Sequence, residues 1–383
     1  ALAPYFVGYT LFTKDRAFCR KSLTSFEALA GKPSALSVST PGKVAHFTDT
    51  FFDTNGVAKT LQEQARMAQS SDKQYEVITC HPEGDFGPGC KNFLPIDQYT
   101  LPEYPDQELY YPPFLEMLSY VYENGFTHIH TATPGPIGVC ALIISRILKL
   151  PLHGTYHTAF PQYAYHLTGD HSVEEVMWKS MVWFYNQMDR VYAPSHAVGN
   201  ELRAKGVHPD KLVVYPRGID TQRFTPSKRN GFFSRYHMNG NLKVLYVGRI
   251  SKEKNLHILE EVYREIGQSG LPVDLVIVGD GPYRKEMQEN LRDINCLFTG
   301  KLEGDDLAEA YASCDLFVFP STTDTFGRVV LEAQASGVPA VVTDVGGPQE
   351  NVIQDETGLI VPGEDPQALK DAVMTLLQDP ERL

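Results

Sequence analysis

The feature that most constrains the fold is a strand–helix alternation that runs along the chain and then begins again. From Lys43 onward, short apolar runs rich in β-branched and aromatic residues alternate with helical patterns, and a second series begins at Lys243. The first series predicts strands at Val44–Phe47, Glu76–Thr79, His128–Thr131, Leu152–Tyr156 and Arg190–Ala193. Such alternation predicts parallel sheets covered on both faces by helices.

The restart of the pattern predicts an α/β protein of two doubly wound, Rossmann-like domains that face each other across a cleft. We place the N-terminal domain at residues 41–215, a linker punctuated by proline and glycine at 216–241, and the C-terminal domain at 242–383. Residues 1–40 fit neither pattern and form an N-terminal extension of unknown role. Open α/β sheets bind ligands at the carboxyl ends of their strands, so the function is expected in the cleft.

Composition excludes several classes of protein. Of 383 residues, 42% are hydrophobic and 21% charged, which is typical of a globular chain. Apolar runs stay below the ~20 residues that span a bilayer, and Ala1–Pro4 does not resemble a secretory signal. The formal net charge of -13 argues against a nucleic-acid partner. Six cysteines without C-x-x-C spacing favour a reducing, cytoplasmic compartment and no structural zinc.

The strongest chemical signal is the start of a helix that follows the apolar strand ending near Pro320. Backbone N–H groups of Phe326, Gly327 and Arg328 are predicted to point into the cleft, where a helix N-terminus attracts an anion. Gly327 lets a ligand approach the backbone closely. We therefore predict that these three residues bind a ligand.

Two carboxylates flank that helix start. Asp324 lies in the preceding loop and Glu332 within the helix, a spacing suited to hydroxyl groups at two ends of one sugar-bearing ligand. The alternative is that Asp324 compensates the helix dipole while Glu332 is solvated.

Two cations follow the first strand of the second series. Arg249 comes directly after the strand, and Lys254 lies at the start of the next helix. Both charges can converge on a diphosphate, arginine as a planar fork and lysine as a point charge. Taken singly, each is more often a solvated surface residue.

Three further positions have an ordinary structural explanation beside the functional one. Gly56 opens a helix at the matching junction of the first domain, where backbone amides could touch phosphates or the glycine could simply cap the helix. His157 ends an apolar strand and could bind a sugar hydroxyl or be structural. Gly281 lies in an incomplete dinucleotide fingerprint, which predicts a tight turn on the nucleobase side rather than an NAD site.

These residues carry a resemblance to a known family. The C-terminal half resembles the retaining, GT-B-fold glycosyltransferases of family four, whose signature is a Glu-x7-Glu motif around Phe-Gly. Five stretches are similar to the GDP-mannose-dependent α-mannosyltransferases and the related sulfolipid synthases: Thr48–Ala58, Ala132–Gly138, Tyr156–Tyr163, Trp183–Asn186 and Arg217–Asp220. The resemblance runs from about Lys43 to the end of the chain.

The resemblance implies a retaining, metal-independent hexosyltransferase that needs no cofactor. Its donor substrate would be a nucleotide sugar, with GDP-mannose first, and its acceptor a lipid or a glycan. A UDP-sugar-dependent transferase and a non-catalytic nucleotide-sugar-binding relative are the alternatives, whereas a nicotinamide oxidoreductase lacks its fingerprint. The implied location is cytoplasmic, or peripheral at the inner face of the membrane.

The resemblance also implies roles for matching positions. Arg249 and Lys254 would hold the donor diphosphate and stabilise the charge that grows on the leaving group. His157 would contact the donor sugar near the reacting carbon. Glu332 would bind the ribose hydroxyls, and Asp324 would hold the sugar together with the backbone of the Phe-Gly pair.

The sequence departs from the family pattern in three places. Asp324 stands where the family signature has glutamate, and it still offers two acceptor oxygens. The chain stops at Leu383, within or just after a helix that begins near Pro366, and lacks the terminal helix that crosses back to the first domain in relatives. Residues 1–40 match nothing in the family, as expected if the parent is a longer, multidomain protein.

Overall fold

The computed structural model describes residues 42–53, 56–83, 87–101, 104–238, 240–379, 381 and 383, together with positions 7–11, 13, 14, 18 and 22. Most of the predicted extension of residues 1–40 therefore lies outside the described residues. The chain divides into two compact units. The first comprises Ala1–His157, Val176–Ala193 and Leu202–Val213, and the second Thr158–Glu175, Pro194–Glu201 and Val214–Leu383.

The first unit contains a seven-stranded sheet with the order β3-β2-β1-β6-β7-β8-β9. Neighbouring strands from β3 to β8 run parallel, as predicted. The strands are β1 (Val44–Phe47), β2 (Tyr75–Cys80), β3 (Cys90–Phe93), β6 (His128–Thr131), β7 (Leu152–Thr155), β8 (Arg190–Ala193) and β9 (Leu212–Val214). Its helices include α1 (Gly56–Ser70), α2 (Phe114–Glu123) and α3 (Pro136–Leu148).

Helix α3 shows why this sequence folds locally as it does. Pro136 occupies its first turn, where the missing N–H costs nothing, and Lys149 ends it in the left-handed conformation with φ 53°. The side chain of Asp49 accepts a hydrogen bond from the amide of Ile137 at 3.0 Å, which satisfies one donor of the first turn. The helix is apolar on most sides because it is largely buried.

A two-stranded antiparallel hairpin interrupts the parallel pattern of the first unit. It pairs β4 (Asp97–Leu101) with β5 (Tyr104–Tyr111). The strand–helix alternation did not predict it. The segment is rich in tyrosine and charged residues rather than in continuous apolar runs, which is typical of strands with one solvated face.

The second unit contains a six-stranded sheet with the order β12-β11-β10-β13-β14-β15, in which every neighbouring pair is parallel. The strands are β10 (Leu242–Val247), β11 (Val273–Val278), β12 (Cys296–Gly300), β13 (Leu316–Phe319), β14 (Ala340–Thr343) and β15 (Gly358–Val361). Its helices include α4 (Phe160–Thr168), α7 (Leu256–Gln268), α8 (Arg284–Asn290), α9 (Gly304–Ala312), α10 (Arg328–Ala335) and α11 (Pro366–Leu377). Both doubly wound sheets predicted from the sequence are thus confirmed.

Two helices between β7 and β9 contain residues of both units. They are α5 (His171–Asn186) and α6 (His196–Lys205). The segment 216–241, expected to be a linker, contains two 3-10 turns, Pro226–Lys228 and Phe232–Tyr236. Three of its phenylalanines, Phe224, Phe232 and Phe233, are buried in the core of the second unit.

Candidate functional site

The site of the second unit is built around Lys254. Strand β10 ends at Val247, and the chain then enters a 3-10 turn, Lys252–Lys254. The side chain of Lys254 is 9% exposed, and its Nζ lies 3.3 Å from Oδ2 of Asp324. Two motifs that are 70 residues apart in the sequence therefore meet in one ion pair.

The turn of Lys254 is fixed to the loop after β13 by two side chains. Thr323 donates from Oγ1 to the carbonyl of Glu253 at 3.1 Å. Asn255, which adopts the left-handed conformation, donates from Nδ2 to Oγ1 of Thr322 at 3.1 Å. These bonds hold the lysine in place before any ligand arrives.

Asp324 also accepts hydrogen bonds from backbone amides at the start of helix α10. Its Oδ1 accepts hydrogen bonds from the amides of Phe326 at 3.2 Å and Gly327 at 2.7 Å. This corrects the expectation that these two N–H groups are open to a ligand anion. A short carboxylate placed two and three residues before an amide reaches it locally, as aspartate does in many turns. Asp324 therefore compensates the helix start, as the alternative interpretation expected. It also pairs with Lys254, which that interpretation did not include.

The charges of the pair support each other. Burial acts to lower the pKa of Lys254, but the proximity of Tyr163 and Asp324 outweighs it and leaves that pKa raised. Burial acts to raise the pKa of Asp324, but Lys254 and the two backbone amides outweigh it and leave that pKa lowered. Both groups are therefore ionised at neutral pH, and the lysine remains a cation that can face an anionic ligand.

Glu332 is held by a second pair of contacts. It is 7% exposed, accepts a hydrogen bond from Nε of Arg328 at 3.0 Å and another from the hydroxyl of Tyr311 at 3.0 Å. The alternative of a solvated Glu332 is therefore wrong. A carboxylate has about four acceptor positions, so these two bonds leave capacity for ligand hydroxyls.

Gly327 occupies a position that other residues fill poorly. Its φ is 76°, and an added Cβ would lie 2.8 Å from Cα of Pro348. The glycine is thus required by local packing, whether or not a ligand approaches it.

Changing Gly327→Ala should lower the free energy of unfolding by about 2–3 kcal/mol, because left-handed strain and a backbone collision add. Urea denaturation measures this loss. Gly304→Ala is the matched control: its φ is 58°, but an added Cβ meets nothing within 4 Å. Strain alone should then cost about 1 kcal/mol. Equal losses in the two variants would contradict the collision with Pro348.

Arg249 and Gly281 lie on neighbouring loops at the carboxyl ends of β10 and β11. The amide of Ile250 donates to the carbonyl of Asp280 at 3.0 Å, and the hydroxyl of Tyr246 donates to the carbonyl of Arg249 at 2.9 Å. A Cβ on Gly281 would lie 2.9 Å from backbone atoms of Ile250. The close approach of two backbones therefore explains this glycine, and its contact with a nucleobase stays a prediction.

Gly56 and His157 belong to the first unit. Gly56 is the first residue of α1, and an added Cβ would meet nothing within 4 Å, so packing does not require glycine there. The preceding Asn55 lies outside the described residues. His157 is 8% exposed and follows β7 by two residues. The ligand roles of Gly56 and His157 remain predictions.

Several residues that contact the predicted site were assigned no role from the sequence. Tyr311 on α9 contacts Glu332, and Asn255 orders the lysine turn. Ser195 donates from Oγ to the carbonyl of Thr325 at 3.1 Å. The guanidinium of Arg217 lies over the Phe326 ring, 5.7 Å from its centroid. Two of them lie in stretches that the sequence singled out: Asn255 follows Lys254 directly, and Arg217 opens one of the five similar stretches.

Two kinds of feature are absent from the described part of the chain. No group of three or more His, Cys, Asp or Glu residues there is arranged to hold a metal ion. No helix among the same residues is long and apolar enough to cross a membrane.

Comparison with family models accounts for most of the chain. Residues 54–223 match the model described as Glycosyltransferase Family 4, and residues 228–383 match Glycosyl transferases group 1. The two matches correspond to the two series of strands and helices.

Curated relatives carry related names. The sulfoquinovosyl transferase SQD2 of Arabidopsis thaliana is 30% identical over 358 residues, which cover 90% of this chain and 68% of that protein. A GDP-mannose-dependent alpha-mannosyltransferase of Mycobacterium tuberculosis is 36% identical over 66% of this chain and 65% of its own length. One of the same name from Corynebacterium glutamicum is 36% identical over 61% of this chain, and the chain spans 54% of it.

Solved structures show the same fold. Anabaena HepE in complex with UDP and glucose superposes with a TM-score of 0.71 at 20% identity, covering 89% of this chain and 91% of that one. WaaG, a glycosyltransferase involved in lipopolysaccharide biosynthesis, superposes with a TM-score of 0.68 at 15% identity, covering 88% and 91%. At these identities the likeness concerns the fold alone.

Proposed function

The chain belongs to the GT-B glycosyltransferases of family four, and we propose that it transfers mannose from GDP-mannose to a lipid or glycan acceptor with retention of configuration. Membership makes it a glycosyltransferase that uses a nucleotide sugar. The choice of GDP-mannose is supported by three relatives named GDP-mannose-dependent alpha-mannosyltransferase, at 33–36% identity. Since the chain spans only part of these relatives, their substrates come to it as a proposal.

The observation that carries the proposal is the buried ion pair of Lys254 and Asp324 beside the start of helix α10. A lysine that is 9% exposed and keeps its charge is a preorganised electrostatic group. Such groups stabilise charge that develops during reaction without having to reorganise. In a sugar transfer from a nucleotide sugar, that charge develops on the departing diphosphate.

Each site residue of the second unit is assigned to the ligand group that suits its chemistry. Lys254 and Arg249 hold the diphosphate and stabilise its growing negative charge. Asp324 is oriented by the lysine and by two amides, so its remaining acceptor positions can bind hydroxyl groups of the sugar. Glu332, oriented by Arg328 and Tyr311, binds the ribose hydroxyls. For His157 of the first unit, a contact with the donor sugar near the reacting carbon stays a prediction.

The acceptor is proposed to be a lipid ahead of a free glycan. Two of the relatives are named alpha-monoglucosyldiacylglycerol synthase and phosphatidylinositol monomannoside mannosyltransferase. A peripheral location at the inner face of the membrane goes with this acceptor.

A second candidate is transfer of a different sugar from UDP. A sugar other than mannose is favoured by the coverage of the sulfoquinovosyl transferase, which reaches 90% of this chain, whereas the mannosyltransferase of Mycobacterium tuberculosis reaches 66%. A non-catalytic relative that binds the donor without turnover is the third possibility.

A thermal-shift panel of GDP, UDP, ADP and their sugars tests the donor. We expect GDP and GDP-mannose to raise the melting temperature and UDP and ADP to have little effect. A ligand at 100 times its dissociation constant stabilises the folded state by about 2.7 kcal/mol, enough for a shift of several degrees. A response to UDP compounds alone would replace GDP-mannose with the second candidate.

Turnover separates an enzyme from a binding relative. Purified protein given GDP-mannose and a diacylglycerol or phosphatidylinositol acceptor should release GDP, and NMR of the product should show the α anomer. Binding without GDP release, from either transfer or hydrolysis, would favour the non-catalytic relative. A β-linked product would contradict retention.

A further inference from the structure

Arg217 is a basic side chain of the second unit whose role the predicted motifs leave open. It lies just before a turn that is stabilised by Asp220. The carboxylate of Asp220 accepts hydrogen bonds from the amides of Gln222 and Arg223, at 3.0 Å each. Its guanidinium carbon is 5.7 Å from the centroid of the Phe326 ring, within cation–π range. Arg217 is thus placed beside the Phe-Gly pair of the candidate donor site.

The electrostatic surroundings of Arg217 are those of the same site. Burial lowers the pKa of its guanidinium to about 10, the nearby Asp324 carboxylate acts to raise that pKa, and Arg328 acts to lower it. At neutral pH the group is therefore still a cation. Its charge acts on the carboxylate that binds Lys254 and on the first residue of helix α10.

Two of the cations around the helix start are already paired with carboxylates. Lys254 pairs with Asp324, and Arg328 pairs with Glu332. The amides of Phe326 and Gly327, which a helix start could otherwise offer to an anion, donate to Asp324 instead. An anionic ligand at this place must therefore be met chiefly by side-chain cations.

We propose that Arg217 is a phosphate-binding residue of the donor site, which contacts the distal phosphate of the nucleoside diphosphate, next to the transferred sugar. The distal phosphate is chosen because Arg217 lies over the ring of Phe326, whose amide donates to Asp324, the residue to which the proposed function assigns the sugar. The cation–π contact with Phe326 helps to place the planar guanidinium, which can bind two phosphate oxygens at once. This inference rests on the proposed function.

Isothermal titration of the full chain with GDP and with GMP tests it. A charge-assisted hydrogen bond is worth about 1.5–3 kcal/mol, so Arg217→Gln should weaken GDP binding by about 10- to 100-fold. GMP lacks the distal phosphate, so its affinity should change by less than about threefold. Arg217→Lys keeps the charge without the fork, so its affinity for GDP should fall between those of wild type and Arg217→Gln.

Arg223→Gln is the matched control, since Arg223 is exposed and only six positions further along the same segment. It should bind both nucleotides like wild type. Equal weakening of GDP and GMP in Arg217→Gln, or no weakening of either, would overturn the role of Arg217 and leave the proposed donor standing. A wild-type chain that binds neither nucleotide would overturn the proposed donor itself.

Discussion

Replacing Lys254 with alanine should lower the free energy of unfolding by about 3 kcal/mol and slow sugar transfer by about two to three orders of magnitude. The stability loss follows because Asp324, with a side chain 28% exposed, would keep its charge without the cation beside it. The amides of Phe326 and Gly327 still donate hydrogen bonds to this carboxylate. The loss of stability should therefore be at the lower end of the range measured when one partner of a buried ion pair is removed. Urea denaturation and a GDP-release assay measure the two effects.

A double variant separates structure from catalysis. In Lys254→Ala/Asp324→Asn the stranded charge is gone, so much of the stability should return while transfer stays slow. Lys252→Ala is the matched control, because Lys252 lies in the same turn with a side chain 70% exposed and forms a surface ion pair with Glu286. It should change stability by less than about 1 kcal/mol. Full activity in Lys254→Ala would remove Lys254 from the site.

The sheets could be predicted from sequence because buried parallel strands have a strong local pattern. Strand β11, Val273–Val278, is a nearly continuous apolar run, and its residues are buried from Asp274 onward. The strands β4 and β5 have no comparable run, and their pairing depends on contacts between two separate segments. Local patterns therefore predicted the two parallel sheets but missed the antiparallel one.

The candidate site was predicted less completely, because its contacts join distant parts of the chain. The apolar neighbours of Glu332 in the sequence indicated that its side chain is buried. Its hydrogen-bond donor Tyr311, however, lies 21 positions earlier on another helix. Likewise the spacing of Asp324 suggested a ligand contact, but it did not indicate that the carboxylate also accepts hydrogen bonds from Lys254 and two local amides. Side-chain partners follow from tertiary packing, which a motif does not specify.

The first unit contains a row of histidines on adjacent strands. His46 and His130 are register partners, as are His130 and His153. The rings of His46 and His130 are 4.3 Å apart between centroids. His46 Nδ1 lies 2.8 Å from the hydroxyl of Tyr75, and His130 Nε2 lies 2.8 Å from Oγ1 of Thr155. The three histidines therefore lie side by side on one face of the sheet.

The pKa shifts in this row share one direction. Burial, with a contribution from His153, lowers the pKa of His130 to about 3, and burial, His130 and His157 lower that of His46. Burial and then His128 lower the pKa of His153, with Asp189 opposing and Arg190 adding. Asp49 acts in the opposite sense, because burial raises its pKa to about 6 and its protonation then favours the folded state.

Acid should therefore destabilise the first unit through these histidines. A pKa below the unfolded value of about 6.5 means that stability is complete above that pH and is lost as pH falls towards the folded pKa. At pH 4.5 His130 alone should account for about 2 kcal/mol of lost stability, with allowance for its partial exposure. His130→Gln should remove that share, so its stability should fall less than that of wild type between pH 7.5 and 4.5.

Tryptophan fluorescence can follow this unit by itself, because both tryptophans of the chain, Trp178 and Trp183, lie in its segment Val176–Ala193. Urea titrations of wild type and His130→Gln at the two pH values give the difference, in which the opposing contribution of Asp49 cancels. His208→Gln, an exposed histidine of the same unit, should behave like wild type. If His130→Gln loses as much stability in acid as wild type does, the neutral imidazole of His130 is not what makes the first unit sensitive to acid.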